Sequence, residues 1–325
     1  MRVLTEQIFV GLAEISMCIR MTNFVYHFDE ASNFLITIKS FKLRNQQEYD
    51  IFKKRLALFS TIMKFYLTCA SFAITFSCVA PMFDDKLRLP YPGWSICDWR
   101  SNMTCYYMQY TYQFVGVIFL AHTLVRLENY QIYCMICAAA KLEILAMRSC
   151  KIGYNKNNKL TDQQRDSENL ALLLENIKTH KFVMKYVADV ERVFSIPFLF
   201  QLFCSSAIFC LTGFQLIIME NGSDDNLLLA YYFSFSCTML NEIFLPCYFG
   251  TILTSTNESV SKAIYSSNWP DLSQSFKNTM IIFVEQLQRP RIMKSGKIFT
   301  LSLISFLTVI NRSYSMFAVL RSLIK

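Results

Sequence analysis

The sequence predicts an all-α fold, a polytopic membrane bundle whose long helices extend into a cytosolic helical layer. Of the 325 residues, 53% are hydrophobic and only 17% are charged, a balance too apolar for an ordinary soluble domain. Gly and Pro, which mark turns and loops, number only 8 and 7. Several apolar segments reach the roughly 20 residues that a helix needs to cross a bilayer. We therefore treat residues 1–325 as a single transmembrane domain.

The predicted spans are the apolar segments that are long enough to cross the bilayer, and each contains at least one polar residue. They lie near residues 6–28, 56–83, 107–140, 194–219, 227–251 and 298–323. The stretch from Met1 to Arg20 lacks the basic start and the small-residue cleavage site of a signal peptide. Insertion therefore depends on the spans themselves.

Loop charge sets the predicted orientation, because Lys and Arg accumulate on the cytoplasmic side of a membrane protein. Loops 38–55, 141–193 and 252–297 are rich in these bases, so we assign them to the cytosol. The turn 220–226 has acidic residues and no base, and loop 84–106 is nearly balanced. Both are expected to face outward.

The two outer loops contain residues whose chemistry suits that side of the membrane. Asn102 and Asn221 each begin an N-x-S/T pattern, which makes both candidates for glycosylation. Cys97 and Cys105 lie in the same outer loop, where oxidising conditions permit a disulfide. The sequence allows that bridge without requiring it.

This topology places both ends of the chain outside the cell. A protein with no cleaved signal and a cytosolic start needs one more span ahead of Met1. We therefore expect that a first helix is missing from the chain and that the full-length protein has seven spans, with a cytosolic amino-terminal side and an extracellular carboxy terminus.

Amphipathic stretches predict the cytosolic layer. Segment 107–146 has about 40 residues without proline, roughly twice the length that a bilayer needs, so its later half should project into the cytosol. Segments 168–193 and 272–288 repeat apolar residues at spacings of three and four, as an amphipathic helix does. The layer is thus built from 141–193 and 252–297.

Catalysis and nucleic-acid binding find no support in the sequence. His27, His122 and His180 are far apart, without Cys, Asp or Glu clustered at metal-ligand spacing, and no phosphate-binding Gly loop is present. The net charge of +8 is concentrated in the cytosolic loops, where orientation and contact with anionic membrane lipids explain it. We expect no enzyme, no cofactor, no metal and no nucleic-acid partner.

The last predicted helix has one stripe of hydrophilic or small residues. They recur at spacings of three and four, at Ser305, Thr308, Arg312, Ser315, Val319 and Ser322. Close helix packing through small residues is one interpretation. The other is a water-lined pore in a symmetric assembly, because a charge such as Arg312 inside a membrane usually faces a bundle interior or water.

A carboxylate and a proline interrupt the fifth span. Glu242 is expected to lie in its inner half, and Pro246 should kink the helix near the end of the span. We expect Glu242 to pair with a base on a cytosolic helix end. The candidate partners are Lys178, Lys181, Lys185 and Arg289.

Several motifs of the sequence closely resemble the carboxy-terminal third of insect odorant receptors, in order and in spacing. They are LPCYFG at 245–250, SKAIYSSNW at 261–269, QRP at 288–290, GKIF at 296–299 and SYSxF at 313–317. Weaker similarity extends over most of the chain. The missing first span is the main departure from that family.

The resemblance implies an odorant-gated, nonselective cation channel in the plasma membrane, a heterotetramer with a shared odorant co-receptor subunit. In that family the last helix lines the pore, and its narrow positions fall here on Val319, Ser322 and Leu323. The odorant pocket lies in the outer half of each subunit. By position its candidate lining residues are Met17, Met21, Phe72, Thr75, Phe76, Gln113, Val117, Tyr231, Tyr232 and Phe235.

An aromatic and Met-rich pocket suits small volatile apolar odorants. Two alternatives remain for the function. A gustatory-type receptor channel would share the architecture, although the stretches Asn268-Trp269 and Ser313-Tyr314-Ser315 favour the odorant branch. A G-protein-coupled receptor also has seven spans, but its orientation is opposite to the one that the loop charges predict.

Overall fold

The computed structural model confirms the predicted all-α bundle. It describes residues 2–83, 87–91, 97–154, 161–220, 226–288 and 292–322. The helices in these ranges are α1 (Arg2–Tyr26), α2 (Phe28–Ser40), α3 (Gln46–Val79), α4 (Met103–Cys150), α5 (Asp162–Glu220), α6 (Asn226–Tyr265), α7 (Gln274–Leu287) and α8 (Leu303–Ser322). A hairpin of β1 (Lys294–Ser295) and β2 (Phe299–Thr300) precedes α8.

The bundle has two ends. We call these the disulfide end, where Cys97 and Cys105 lie, and the α7 end. Helix α4 is the central element, and nearly every side chain from Ile132 to Leu145 is buried there against α3, α5 and α6. Within the described residues, three helical segments are long and apolar enough to cross a membrane: Gln46–Phe83, Met103–Cys150 and Asp162–Gly213.

Long helices join the predicted spans to the predicted amphipathic stretches. Helix α4 has 48 residues and runs on to Cys150, and α5 has 59 residues and unites segment 168–193 with the following span. Helix α7 falls inside segment 272–288. The apolar faces of these extensions meet in one core at the α7 end, where Phe276 and Phe283 are buried.

The last helix begins later than the sequence predicts, at Leu303 and not at 298. The reason is a tight turn in which Ile298 N donates to Ser295 O at 3.2 Å. Its central residues Gly296 and Lys297 have φ of 58° and 62°, and such positive φ values are common in the turns of β-hairpins. Only the glycine signals this turn in the sequence, because Lys rarely adopts positive φ.

Pro197 interrupts the hydrogen bonding of α5 without ending the helix. Proline has no N–H, so the carbonyl four residues earlier, on Val193, loses its helical partner. The side chain of Asn23 on α1 supplies one, because its Nδ2 donates to Val193 O at 3.0 Å. A hydrogen bond between α1 and α5 thus replaces the helical hydrogen bond that Pro197 removes.

The hairpin and α8 dock closely on α6. Leu303 N at the start of α8 donates to Thr251 Oγ1 at 2.9 Å, and the rings of Phe244 and Phe306 meet edge to face at 5.4 Å. Gly250 permits this approach, because a Cβ there would lie 2.9 Å from Leu301 Cβ and would overlap the Leu301 carbonyl oxygen.

We predict that Gly250→Ala destabilises the protein although alanine favours helices. In an open helix interior this change gains about 1 kcal/mol, but overpacking a tight contact costs about 1–3 kcal/mol. The matched control is Gly11→Ala on α1, where a Cβ meets nothing within 4 Å. Thermal unfolding of detergent-purified protein should show a lower midpoint for Gly250→Ala and an unchanged or higher one for Gly11→Ala. Equal midpoints for both variants would refute the close contact.

Candidate ligand cavity

A cavity of about 350 Å³ opens near the disulfide end, between α1, α4 and α6. Its lining residues recur at helical spacing, so that one face of α1 and one face of α4 look into it. They are Val10, Ala13, Glu14 and Met17 on α1, residues 109–124 along one face of α4, Phe235 on α6 and Tyr91 from the preceding loop. Most of this lining is apolar, with a few polar groups, as in pockets that bind small molecules.

Four of the predicted pocket residues line this cavity, namely Met17, Gln113, Val117 and Phe235. Three others lie beside it in an aromatic cluster, in which Phe76 packs with Tyr231 and Tyr232. Val10, Ala13 and Phe235 belong to both groups, so the cluster forms one wall of the cavity.

The remaining predicted pocket residues lie elsewhere. Phe72 is 60% exposed and Thr75 is exposed too, with its hydroxyl bonded to Ser71 O. Helix α3 turns its other face, with Ala73 and Ser77, into the protein. Met21 is half-buried one turn beyond Met17 and does not line the cavity.

Gln113 holds the loop that covers the cavity. Its Nε2 donates to Tyr91 O at 3.0 Å, and its Oε1 accepts from Tyr91 N at 3.0 Å. The amide therefore positions Tyr91, which the sequence reading did not include among the pocket residues. Burial raises the pKa of the Tyr91 phenol to about 12, so its ring lines the cavity in the neutral form.

The loop at this end is fixed by covalent and polar contacts. A disulfide joins Cys97 to Cys105, with 6.2 Å between their Cα atoms. The side chain of Asn102 accepts from Thr104 N at 3.0 Å and so caps α4. A hydrogen bond from the Ser101 hydroxyl lowers the pKa of the Asp98 carboxyl. Of the two glycosylation candidates, Asn221 lies outside the described residues.

Beneath the cavity, a guanidinium joins two buried carboxylates from different helices. Arg20 donates from Nη1 to Glu128 Oε1 at 3.0 Å and from Nη2 to Glu242 Oε1 at 2.7 Å. These side chains are 2%, 2% and 7% exposed. Arg20 lies one helical turn beyond Met17, and Glu128 lies one turn beyond Leu124. We call Arg20, Glu128, Gln201 and Glu242 the charge cluster.

Three of the expected partners of Glu242, namely Lys178, Lys181 and Lys185, are therefore wrong. Lys178, Lys181 and Lys185 are exposed on α5, and Lys185 precedes Gln201, which touches Glu242, by about 24 Å of helix. Arg289 lies outside the described residues. The carboxylate faces the interior of the bundle and not its α7 end.

Gln201 completes the cluster from α5. Its Nε2 donates to Glu242 O at 3.1 Å, the carbonyl that loses its helical partner because Pro246 has no N–H. The same nitrogen donates to Glu128 Oε1. Four helices thus meet in one polar contact. In the described ranges, no three His, Cys, Asp or Glu side chains come together as a metal site would require.

Part of the predicted stripe on α8 is exposed on the surface of the single chain. Thr308, Arg312 and Ser315 are exposed, whereas Ser313 on the opposite side is buried against α5. Among the predicted pore positions, Val319 and Ser322 fall in the last turn of α8. Leu323 lies outside the described residues.

We predict an asymmetry between substitutions in the charge cluster. Arg20→Leu leaves two buried carboxylates without a counter-charge and should cost about 3–5 kcal/mol of stability. Glu128→Gln keeps an oxygen acceptor for Arg20 and removes one excess negative charge, so it should cost about 1 kcal/mol or less. Surface delivery and thermal midpoint measure both effects, and a milder phenotype for Arg20→Leu than for Glu128→Gln would contradict the assignment.

Comparison with known proteins gives the family. The 7tm Odorant receptor family matches residues 1–314. Two Drosophila melanogaster relatives are Odorant receptor 33a, 25% identical over 85% of this chain and 71% of its own, and Odorant receptor 2a, 26% identical over 84% and 70%. Odorant receptor 94a of the same organism is 21% identical over 97% and 80%.

Solved structures share the fold. The olfactory receptor OR5 of Machilis hrabei, in complex with eugenol, matches with a TM-score of 0.83 at 16% identity, over 98% of this chain and 81% of that chain. A second structure of Machilis hrabei OR5 matches with a TM-score of 0.80 at 17% identity, over 97% of this chain and 80% of that chain. The shared fold agrees with the family match over residues 1–314, which identifies the chain as a member of the 7tm odorant receptor family, a family of odorant-sensing, ligand-gated membrane channels and not of enzymes.

Proposed function

We propose that the chain is the odorant-specific subunit of a nonselective cation channel that it forms with an odorant co-receptor, as a heterotetramer in the plasma membrane. The single observation that carries this proposal is the cavity at the disulfide end, lined by α1, α4 and α6 and placed one helical turn above the charge cluster. A small molecule bound there contacts helices that Arg20 ties to α6.

The orientation follows from charge and redox chemistry. The disulfide Cys97–Cys105 requires an oxidising compartment, so its end of the bundle faces outward. The basic loops lie toward the α7 end, which faces the cytosol. The carboxy terminus is then extracellular, and Asn102 and Asn221 are on the side where glycosylation occurs.

The ligands are small and mainly apolar. A volume of about 350 Å³ is at the low end of ligand pockets, and burial of apolar surface at roughly 25 cal/mol per Å² provides most of the affinity. Machilis hrabei OR5 was solved with eugenol, a molecule of the size class that we propose for this cavity.

The permeation path runs along α8. In the heterotetramer, the last helices of this chain and of the co-receptor would surround one axis and turn the exposed stripe of Thr308, Arg312 and Ser315 toward water, with Val319, Ser322 and Leu323 near the outer mouth. A ligand opens the pore only to the extent that it binds the open bundle more tightly than the closed one.

The cavity assignment predicts that a side chain which fills the cavity weakens the response to odorants. A Cβ at Gly116, which lines the cavity, meets nothing within 4 Å, so Gly116→Leu should fold normally and occupy ligand space. We expect at least a tenfold rise in half-maximal odorant concentration. Gly11→Leu, equally unhindered but outside the lining, is the control. Unchanged dose–response curves for Gly116→Leu at normal surface expression would exclude this cavity as the odorant site.

The proposed assembly with an odorant co-receptor leads to a second prediction, about the ion current. Odorant-evoked cation current should appear in cells that express this chain together with the co-receptor and be absent from cells that express this chain alone. Cysteine at Val319 or Ser322 should make the current of the complex sensitive to thiol reagents applied outside. A current that needs no co-receptor, or that no outer reagent affects, would argue against the assembly or against the pore positions respectively.

A further inference from the structure

The amide of Asn23 makes a contact that belongs neither to the cavity nor to the charge cluster. Asn23 lies near the end of α1, about 9 Å of helix beyond Met17 in the cavity lining. Its Nδ2 donates to Val193 O at 3.0 Å, the carbonyl that Pro197 leaves without a helical partner. Val193 is buried, and a buried carbonyl without a hydrogen bond is costly. The bond therefore ties α1 to one specific turn of α5.

The same turn of α5 also binds the hairpin that precedes α8. Ser195 O accepts from Gly296 N at 3.0 Å and from Ser295 Oγ at 3.1 Å. The hairpin lies close to the helix here, because a Cβ at Gly296 would be 2.4 Å from Leu199 Cδ2. The turn from Val193 to Pro197 is thus hydrogen-bonded both to α1 and to the hairpin.

These contacts form a second route between the cavity and α8. The route starts on α1, which contributes Met17 to the cavity lining, and it reaches α5 through Asn23. It continues to the hairpin, which ends at Thr300, close to the start of α8 at Leu303. None of the four residues of the charge cluster belongs to it. A helix bends more easily where proline removes a hydrogen bond, so the turn at Pro197 can follow a displacement of α1.

We propose that Asn23 is a positioning residue for gating, whose hydrogen bond to Val193 O transmits a ligand-induced displacement of α1 through the hairpin to α8. Pro197 has the complementary role, because it leaves Val193 O available to a partner on another helix. The inference rests on the proposed function as an odorant-gated channel with a co-receptor. It adds a residue that lies outside both the cavity lining and the predicted pore positions.

A substitution at Pro197 separates this role from a merely structural one. Pro197→Ala restores an N–H that can bond to Val193 O, and the Asn23 contact remains because a carbonyl oxygen accepts two hydrogen bonds. In that background Asn23→Leu leaves no carbonyl without a partner, so it should change the thermal midpoint of the complex by only about 1 °C or less. With Pro197 present, Asn23→Leu should lower the midpoint by about 2–4 °C.

The functional measurement is the saturating current of the channel formed with the co-receptor, divided by the amount of channel at the cell surface. The probes are a panel of volatile alcohols, esters, aldehydes and phenols that includes eugenol. Pro197→Ala should keep the current of the unmodified chain to within about twofold. Adding Asn23→Leu should then reduce it by about fivefold or more, although the stability is preserved. Asn33→Leu, the same change at an exposed asparagine of α2, is the matched control and should alter neither quantity.

Three results would overturn the role of Asn23. The first is a double variant that keeps the current of Pro197→Ala, because Asn23 would then serve only to satisfy the carbonyl. This comparison decides the question even if Asn23→Leu alone does not reach the surface. The second is full current per surface channel in Asn23→Leu alone. The third is loss of current in Pro197→Ala alone, which would assign transmission to the proline.

Failure of the proposed function gives a different pattern. The unmodified chain with the co-receptor would then yield no current for any member of the panel, and both the channel proposal and the gating role of Asn23 would be rejected. A responsive unmodified channel combined with any of the three results above rejects the role of Asn23 and leaves the channel proposal intact.

Discussion

The arrangement of this bundle depends on the ion pairs that Arg20 forms with Glu128 and Glu242. Between helices in a membrane there is little hydrophobic drive, so packing and buried polar contacts decide which faces meet. One guanidinium with two carboxylate partners fixes α1, α4 and α6 in both rotation and depth, because a slip of one turn would leave a buried charge unpaired. Gln201 adds α5 to the same point and uses the carbonyl that Pro246 frees.

The position of this contact links the cavity to α8 through a continuous series of contacts. Met17 and Leu124 line the cavity one turn away on the helices that carry Arg20 and Glu128. On the other side, α6 continues from Glu242 to Phe244, whose ring meets Phe306 of α8. In the proposed mechanism, a ligand that shifts α1 or α4 against α6 strains the Arg20 bonds, and in a buried site such strain is costly enough to move α6 and its contacts.

Sequence reasoning succeeded where the signal is local and periodic. Apolar length and spacing predicted α4, α5 and α7, and resemblance added cavity residues such as Met17 and Val117. It failed for the partner of Glu242, because periodicity tells which face a residue occupies but not which helix it meets, and Arg20 is 222 residues away in sequence. The hairpin before α8 was missed because Lys297 adopts positive φ without any compositional sign.

The central claim is that the charge cluster couples the cavity energetically to α8. A double-mutant cycle on the channel formed with the co-receptor tests it most directly, using odorant dose–response curves for Met17→Ala, Phe306→Ala and the double variant. Residues this far apart normally contribute independently. We predict that the double variant departs from the product of the single shifts by about fivefold or more, which corresponds to a coupling of about 1 kcal/mol. Shifts that multiply without deviation would contradict the account.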